Sequence, residues 1–432
     1  MRYQPIPNSL FIKNRKKLGS QLKDGAVAIL CSNEVLPTNA DGVFGFKQNS
    51  DLFYLCGIDQ EETYLILQPN HPVESHREIL FIRETNDHLK IWEGEKLSKE
   101  QAREISGIEK VLWSHQLDGY LKRTLPEAKS IYLNANEHDG RNTEFRTKSE
   151  EFNQKVMAAY PLFEVNRLAP ILGELRLIKE KEEIDQLRKA LAITKKGFLR
   201  LADKITPDIH EFELEAHLTH EFLINRSRGH AFPPIMASGK NACVLHYVTN
   251  NEVCKDGDLI LMDFGAEYAN YNADITRCLP VNGKFTERQK LVYKAVLNVF
   301  HFAKERIVAG NTMEKLREET SQKMEAELIK LGLLKKEDVE KQKPESPLYR
   351  KYFPHSISHH LGLDVHDVGS RYAVFQPGMV LTCEPGIYIE EECLGVRLEN
   401  DILITEDGNE DLCSDIPLEI GEIEALFKSG KI

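Results

Sequence analysis

The chain has 432 residues, a formal net charge of −12 and eight cysteines. This length suggests two or three domains, and a hydrophobic content of 41% is enough to build packed cores, which excludes a wholly disordered chain. The 68 acidic residues outnumber the 56 basic ones, which argues against a general binder of nucleic acid or of anionic membranes. Eight cysteines in 432 residues are too few for a disulfide scaffold, and no two of them form a Cys-x-x-Cys pair.

The N-terminal sequence, MRYQPIPNSLFIKNRKKL, lacks the apolar run and the small-residue cleavage site of a secretory signal. No stretch of the chain approaches the roughly 18 apolar residues that are needed to span a bilayer. We therefore expect a soluble cytoplasmic protein with reduced thiols and without a membrane partner.

Over the first part of the chain, short apolar runs alternate with segments of helical pattern. The runs are bounded by polar residues, Gly or Pro, which favours strands. The predicted strands cover residues 26–31, 63–67, 79–82 and 131–133, and the predicted helices cover residues 97–105 and 144–157. This alternation predicts an α/β domain, which we place at residues 1–173 because a boundary is expected near Pro170.

Residues 174–432 are predicted to form a second domain that begins with a long charged helix. An apolar stripe marks one face of this helix, and Thr286-x-x-Gln289 is a capping box that predicts the start of a later one. The predicted helices cover residues 179–202, 210–225, 286 onward and 313–331, and the predicted strands cover residues 379–383, 388–390 and 402–405. Residues 335–347 are charged and interrupted by proline, which predicts an exposed loop.

Two aspartates mark a predicted hairpin. Asp263 ends an apolar strand and Asp274 opens the next one, so a turn over residues 265–271 would bring the two carboxylates together. Two carboxylates on neighbouring buried strands repel each other, and a bound cation would remove that conflict. The alternative is that each aspartate caps its strand or pairs with a basic residue such as Arg277.

Four of the chain's 15 histidines lie within 12 residues, at positions 355, 359, 360 and 366. His355 and His359 have the i,i+4 spacing of a zinc-protease His-Glu-x-x-His helix, but Ser356 replaces the glutamate, so we reject that motif. The alternative, a mixture of ordinary core and surface histidines, accounts poorly for so dense a cluster.

Two glutamates follow at the ends of predicted strands. Glu384 ends an apolar run and is followed by Pro385. Glu399 alternates with Arg397 and Asp401, which predicts a strand with all three side chains on one face. An acidic residue on an inward face needs a partner, and the alternative is an Arg397–Glu399 ion pair on a solvated edge.

Together, two aspartates, one histidine and two glutamates form an oxygen-rich, thiol-free set of ligands. Such a set suits hard or borderline divalent ions, with Mn²⁺ ahead of Zn²⁺ or Co²⁺. Because four carboxylates balance the charge of two divalent ions, we expect a two-metal site with the ions about 3.5–4 Å apart.

The order and spacing of these five residues resemble the ligand series of the pita-bread metallopeptidases of family M24, which include methionine aminopeptidase, prolidase and aminopeptidase P. The resemblance to aminopeptidase P (Xaa-Pro aminopeptidase) is greatest. It is carried by the segments Asn241-Ala-Cys-Val-Leu-His-Tyr, His359-His-Leu-Gly-Leu-Asp-Val-His-Asp-Val-Gly and Glu384-Pro-Gly-Ile-Tyr. In the first half, Phe46-Lys-Gln-Asn-Ser-Asp-Leu-Phe-Tyr-Leu-Cys-Gly resembles a motif of aminopeptidase P N-terminal domains.

The resemblance implies an N-terminal α/β domain of the aminopeptidase P (creatinase-like) type and a C-terminal α+β pita-bread domain, in which helices cover a curved antiparallel sheet. It also implies a dinuclear metal-dependent aminopeptidase that removes the first residue from peptides with proline in second position, by way of a metal-bridging hydroxide. The partners would be Xaa-Pro peptides, without nucleic acid, and the assembly would be a homodimer or homotetramer.

By the same resemblance, Asp263 chelates one metal ion. Asp274 and Glu399 bridge both ions. His359 and Glu384 hold the other ion, and Glu384 also takes part in proton transfer.

The resemblance assigns further residues to the reaction. The histidines that would line the pocket and hydrogen-bond the substrate are His246, His355 and His366. Arg397 and Tyr388 would orient the carboxylates and the substrate. Asp41 and Trp92 match positions that, in tetrameric relatives, reach the site of a neighbouring subunit and contact its substrate.

Three alternatives remain at this point. Prolidase, a dipeptidase, has the same ligands, but the N-terminal motif favours aminopeptidase P. Methionine aminopeptidase is disfavoured because its catalytic domain stands alone at a shorter length. A non-enzymatic binding protein or a metal-free, creatinase-like hydrolase would typically lose some of the five ligands, whereas all five are present here.

Overall fold

The computed structural model of the protein describes residues 3–142 and 144–428. These residues divide into two compact units. The N-terminal unit is Pro5–Arg176, and the C-terminal unit runs from Leu177 onward and includes Tyr3 and Gln4.

The N-terminal unit contains a six-stranded mixed sheet of strand order β4-β3-β2-β1-β5-β6. Its strands are β1 Ala26–Cys31, β2 Tyr64–Leu67, β3 Glu78–Ile82, β4 Lys110–Trp113, β5 Ser130–Leu133 and β6 Glu164–Arg167. The helices of this part of the chain are α1 Asn8–Gln21, α2 Ser50–Cys56, α3 Asp87–Trp92, α4 Lys99–Ser106, α5 Leu117–Thr124, α6 Lys148–Ala159 and α7 Ala169–Leu177. Strand β2 pairs antiparallel with β1 and β3, whereas β1–β5, β5–β6 and β3–β4 are parallel.

All four strands predicted in this region are confirmed, and so are helices α4 and α6. The two helices begin later than predicted because Ser98 and Thr147 form capping boxes, in which each side chain accepts a hydrogen bond from the backbone three residues on. Helix α1 was not predicted, since its apolar residues are few and its exposed face is strongly basic.

The motif at residues 46–57 builds the start and the end of α2. The Asn49 side chain accepts a hydrogen bond from Leu52 N–H at the N-terminus of the helix. Gly57 ends the helix at φ 67°, and a Cβ there would lie 2.3 Å from the Phe11 ring, so only glycine fits. Asp51 accepts a hydrogen bond from the nearly buried Arg176 at 2.7 Å. These contacts give the motif a structural role within the N-terminal unit.

The C-terminal unit is built from antiparallel strands and long helices. The strands are β7 Ile235–Ser238, β8 Leu259–Phe264, β9 Glu267–Tyr268, β10 Tyr271–Asn272, β11 Ile275–Pro280, β12 Val380–Cys383, β13 Gly386–Ile389, β14 Leu394–Arg397, β15 Asn400–Thr405 and β16 Gly408–Asp411. The helices are α8 Lys181–Lys204, α9 Glu211–Ile224, α10 Glu287–Lys304, α11 Met313–Lys330, α12 Lys336–Val339 and α13 Ile420–Lys428. Strands pair in the orders β11-β8-β7, β12-β15-β16, β13-β14 and β10-β9.

Two predictions in this unit are wrong. Residues 335–347 are not wholly a loop, because they contain the short helix α12. Arg397, Glu399 and Asp401 do not lie in one continuous strand, since Arg397 ends β14 and Asp401 belongs to β15, which pairs in a different sheet. Glu399 lies between these strands and forms an isolated bridge to Thr276 instead.

None of the helices in the part of the chain described by the structure is long and apolar enough to cross a membrane. The eight cysteines all lie in that part, and all are free thiols.

Glu183 is a buried carboxyl group in the first turn of α8. Its Oε2 accepts a hydrogen bond from Glu180 N–H at 2.9 Å, and its Oε1 accepts one from the Tyr271 hydroxyl at 3.1 Å. Burial raises its pKa to about 7, because the partial compensation from these bonds and from Lys179 does not outweigh desolvation. The folded protein therefore retains a proton on Glu183 that the unfolded chain releases above its ordinary pKa.

This shift predicts that Glu183 destabilises the fold increasingly as the pH rises from about 4.5 to about 7. A Glu183→Gln variant keeps an acceptor for Glu180 N–H and gains a donor for Tyr271. We expect its advantage over the wild type in unfolding free energy to be about 1–2 kcal/mol larger at pH 8 than at pH 5.5. Urea unfolding at both pH values measures this, with Glu182→Gln in the same helical turn as control. An advantage that is independent of pH would contradict the assignment.

Candidate metal centre

The hairpin of β8 and β11 places the two aspartates on adjacent strands. Asp263 near the end of β8 pairs with Thr276 of β11, and Asp274 immediately precedes β11. Between them, Gly265 passes so close to Ala273 that a Cβ would lie 1.6 Å from its carbonyl oxygen. The predicted hairpin is confirmed, and this close approach requires glycine at residue 265.

The histidine loop, residues 355–367, carries the clustered histidines on a segment without helix or strand apart from one isolated bridge, at His360. His359 is tied to strand β12, since Thr382 N–H donates to its carbonyl at 2.9 Å and its own N–H donates to Thr382 Oγ1 at 3.1 Å. Glu384 follows β12 directly, and its N–H donates to the carbonyl of Ile357 at 2.9 Å. These bonds fix both side chains relative to the same strand.

The candidate metal ligands meet in one cluster. Asp274, His359 and Glu399 each offer a ligand atom, and these atoms all lie within 4.8 Å of one another. His359 Nε2 lies 3.5 Å from Asp274 Oδ2 and 3.8 Å from Glu384 Oε1. Asp263 faces the same group of carboxylates from β8, since its charge acts on Asp274, Glu384 and Glu399. All five predicted ligands are thus brought together.

Burial, together with like charge, determines the electrostatics of this cluster. Burial, followed by the charges of Asp263, Asp401 and Glu384, raises the pKa of Asp274 well above its usual range. Burial and the charges of Asp274, Glu384 and Asp263 do the same to the pKa of Glu399. Without cations, the cluster therefore favours bound protons over full ionisation.

Two carboxylate oxygens of the cluster could bind a cation. Asp263 Oδ1 and Asp274 Oδ1 are buried and lack a hydrogen-bond partner in the structure. Buried carboxylate oxygens are normally satisfied, and the neighbours here are further carboxylates that cannot donate when ionised. Oxygen ligands with one imidazole fit hard or borderline divalent cations, so the residues present suit such ions.

Arg397 is the positive charge that faces the cluster. Its Nη2 donates to Asp263 Oδ2 at 2.6 Å, and its Nε donates to Thr276 Oγ1 at 3.1 Å. Thr276 in turn donates from its hydroxyl to Glu399 Oε2 at 2.7 Å. The alternative that the aspartates pair with Arg277 is wrong, because that guanidinium is wholly buried and bonds to backbone carbonyls and to Asn400.

The Tyr388 hydroxyl links Arg397 to His355. Arg397 Nη1 donates to this hydroxyl at 2.8 Å, so the hydroxyl proton is free to go to His355 Nε2, also at 2.8 Å. His355 Nδ1 then carries the ring proton and donates to the carbonyl of Ser356 at 2.7 Å. Burial and the nearby Arg397 lower the pKa of His355 to about 3, which is consistent with this neutral tautomer. In this arrangement both ring nitrogens of His355 engage protein groups.

The other predicted substrate-binding residues lie at the surface. His366 is exposed, and its ring packs edge-to-face on that of His359 with centroids 4.4 Å apart. His246 is exposed in the turn that follows the short 3₁₀ helix Gly239–Cys243, close enough to His355 to influence its charge. Asp41 and Trp92 belong to the N-terminal unit, where Asp41 is exposed and Trp92, the last residue of α3, is 75% exposed.

Two residues that hold the cluster, Thr276 and Asn272, were missed at the level of the sequence, and a third, Asp401, was noted only as a neighbour of Glu399. Thr276 connects Arg397 to Glu399, and Asp401 Oδ2 accepts a hydrogen bond from Asp274 N–H at 3.2 Å. The Asn272 side chain donates to the carbonyls of Gly362 and Leu363 in the histidine loop. Asn272 and Thr276 flank Asp274 closely, and this proximity is the only signal in the sequence that could have indicated them.

Comparison with known proteins identifies the family. The profile of metallopeptidase family M24 matches residues 185–406, and the profile of the aminopeptidase P N-terminal domain matches residues 11–132. The Xaa-Pro aminopeptidase of Escherichia coli (strain K12) is 34% identical over 442 residues, which cover 99% of each chain. The chain belongs to metallopeptidase family M24.

Two solved structures show how far the family likeness extends. Aminopeptidase PepP of Pseudomonas aeruginosa superposes with a TM-score of 0.91 at 30% identity, covering 99% of each chain. Aminopeptidase P of E. coli with the inhibitor Pro-Leu superposes with a TM-score of 0.87 at 33% identity, again over 99% of each chain. This M24 protein is therefore a peptidase that combines an aminopeptidase P N-terminal domain with a pita-bread domain, as predicted, and its family implies divalent metal ions.

Charge repulsion in the cluster predicts opposite effects of one substitution with and without metal. Without divalent ions, we expect Glu399→Gln to unfold at a higher temperature than the wild type, because it removes one buried like charge and keeps an acceptor for Thr276. With Mn²⁺ in excess, the order should reverse, since the wild type gains about 2.7 kcal/mol at a hundredfold excess over Kd and the variant gains less. Thermal unfolding in EDTA and in MnCl₂ measures both; a less stable variant in EDTA would contradict the repulsion.

Proposed function

We propose that this M24 peptidase is a Xaa-Pro aminopeptidase that releases the N-terminal residue of peptides with proline in second position. The observation that carries the proposal is the complete cluster of Asp263, Asp274, His359, Glu384 and Glu399 in a chain that matches Xaa-Pro aminopeptidases from end to end. The comparisons do not favour prolidase, because relatives that match the chain over nearly its whole length carry the name Xaa-Pro aminopeptidase.

The cluster would hold two divalent metal ions, in the arrangement that the family resemblance implies. We assign Asp263 to one ion and His359 with Glu384 to the other, with Asp274 and Glu399 shared between them. Of the four carboxylates assigned as ligands, Asp274 and Glu399 are the most deeply buried, at 5% and 2% exposure, which supports a central position for them. When bound, the ions would supply Lewis acidity that lowers the pKa of water and withdraws electrons from the scissile carbonyl.

Glu384 is the residue that we assign to proton transfer. Burial raises its pKa to about 7, against the opposing charges of His359 and Arg397. A carboxyl group can take up a proton at Oε1 or Oε2 and release it again, which is the role that the family resemblance implies for Glu384. Cleavage before proline expels a secondary amine that must be protonated, and Glu384 supplies that proton.

The acidic cluster and the exposed histidines divide the recognition of the peptide between them. The carboxylates attract the ammonium group of a free N-terminus, which suits an exopeptidase. His246 and His366 are exposed and can reach a peptide carbonyl, whereas His355 acts through its contact with Tyr388. Arg397 holds Asp263 in place and thereby orients a metal-binding carboxylate.

We propose Mn²⁺ as the native metal, because four carboxylates and one imidazole form a hard ligand set. A homodimer or homotetramer is supported by the adjacent side chains of Ile91 and Trp92, which are 79% and 75% exposed on the N-terminal unit. In such an assembly Asp41 and Trp92 would contact the substrate of a neighbouring subunit. The free state of all eight cysteines supports a reducing, cytoplasmic location.

A peptide panel tests the proposed specificity. We expect hydrolysis of an X-Pro-Y tripeptide and of a longer X-Pro peptide, with loss of activity after removal of metal by EDTA and recovery best with Mn²⁺, ahead of Zn²⁺ and Co²⁺. Release of the first amino acid is followed by chromatography, and an X-Ala-Y peptide is the control for proline dependence. Strong preference for the X-Pro dipeptide would identify a prolidase, and full activity in the apo protein would exclude metal-dependent hydrolysis.

The contact between Tyr388 and His355 provides a second test. Tyr388→Phe removes the hydroxyl that joins Arg397 to His355, so we expect kcat to fall about 10- to 100-fold while the metal content stays the same. Steady-state kinetics and elemental analysis measure the two quantities. Tyr293→Phe is the matched control, since this buried hydroxyl donates only to the carbonyl of Leu418 among the bonds of the described residues. Equal losses of kcat in both variants would show a general effect on folding instead.

A further inference from the structure

A buried ion pair lies at the end of the histidine loop, apart from the metal cluster. Lys179 Nζ donates to Asp367 Oδ2 at 3.0 Å, and both side chains are only 1% exposed. Lys179 lies two residues before the first residue of α8, and its N–H donates to the carbonyl of Gly378 at 2.8 Å, so its backbone is fixed. The pair therefore connects the histidine loop to the start of the long helix α8.

The histidine loop needs such connections because it has no regular secondary structure of its own. Its first part is bonded to β12 through His359, and its middle is bonded to the Asn272 side chain through Gly362. Its last buried residue is Asp367, after which residues 369–372 are exposed. The Lys179–Asp367 contact is thus the last buried anchor of the loop, and His366 lies directly beside it in the chain.

The packing around the pair leaves little freedom. A Cβ on Gly362 would lie 2.4 Å from Asp367 Oδ2 and 3.0 Å from Lys179 Cε, so the loop folds tightly over the pair. Asp367 N–H donates to the carbonyl of His360 at 2.9 Å, so the chain between these two residues forms a closed turn. His366, the neighbour of Asp367, packs its ring on the ring of His359.

A buried ion pair contributes little net free energy to the stability of a fold. The desolvation of two charges offsets much of their attraction, and apolar residues of similar size often serve stability equally well. What the pair offers in addition is a tether between two distant segments, because the buried lysine nitrogen, 3.0 Å from the carboxylate oxygen, keeps the end of the loop beside the start of α8. A chain that keeps this pair gains a fixed geometry for the residues next to it.

We propose that Lys179 and Asp367 are a positioning pair that holds His366 against His359 in the arrangement required for peptide hydrolysis. The catalytic part of this inference rests on the proposed function, in which His366 contacts the substrate. Lys179 and Asp367 themselves are buried and act through His366.

The test uses a double variant, Lys179→Met/Asp367→Asn, which removes both charges and leaves neither one buried alone. We expect it to fold and to bind Mn²⁺ like the wild type, with kcat reduced at least about tenfold and with a smaller change in KM. In a His366→Ala background, the same double substitution should change kcat by no more than about twofold, because the residue that it positions is absent. Arg188→Met is the control. Arg188 lies on the same helix α8 and forms an exposed two-bond ion pair with Glu410 of β16, so its loss should leave kcat unchanged.

A second measurement does not depend on activity. In metal-free protein labelled at histidine Cε1, the NMR signal of His366, assigned by its absence from His366→Ala, should shift in the double variant and stay in place in Arg188→Met. A wild-type kcat, an unmoved His366 signal, or an equal loss of kcat in the His366→Ala background would each overturn the proposal. If the wild-type protein hydrolyses no Xaa-Pro peptide, the proposed function fails, whereas the NMR shift still decides whether the pair positions His366.

Discussion

The C-terminal unit is organised around the repulsion between carboxylates that it gathers in one buried place. Asp274 and Glu399 are almost wholly buried, and Asp263 and Glu384 add their charges to the same space. Such a cluster costs free energy unless protons or cations compensate it. Bound divalent cations would remove this cost, and the oxygen-rich set of ligands is suited to such ions.

One guanidinium and several short hydrogen bonds partly offset this repulsion. Arg397 bonds to Asp263, Thr276 and Tyr388, and so it joins three strands and reaches His355 through the tyrosine hydroxyl. The positive charge therefore holds one carboxylate directly and orients groups at the edge of the site.

Local pattern in the sequence was sufficient for much of this description. Strand β1 was predicted with its observed bounds, and the Asp263–Asp274 hairpin follows from an apolar run, a turn and a second run. Contacts between distant parts of the chain could not be predicted in this way. Glu399 was placed in a continuous strand because alternation of residues cannot show that the chain changes sheets there, and the Lys179–Asp367 pair joins residues that are 188 positions apart.

The bond between Arg397 and Asp263 spans 134 residues of sequence, and it joins strands whose other partners lie in different sheets. During synthesis on the ribosome, Asp263 therefore emerges long before Arg397, the residue that neutralises its charge. The nascent chain lacks Glu384 and Glu399 at that stage, so the full set of ligands cannot form until the last strands of the C-terminal unit have been made.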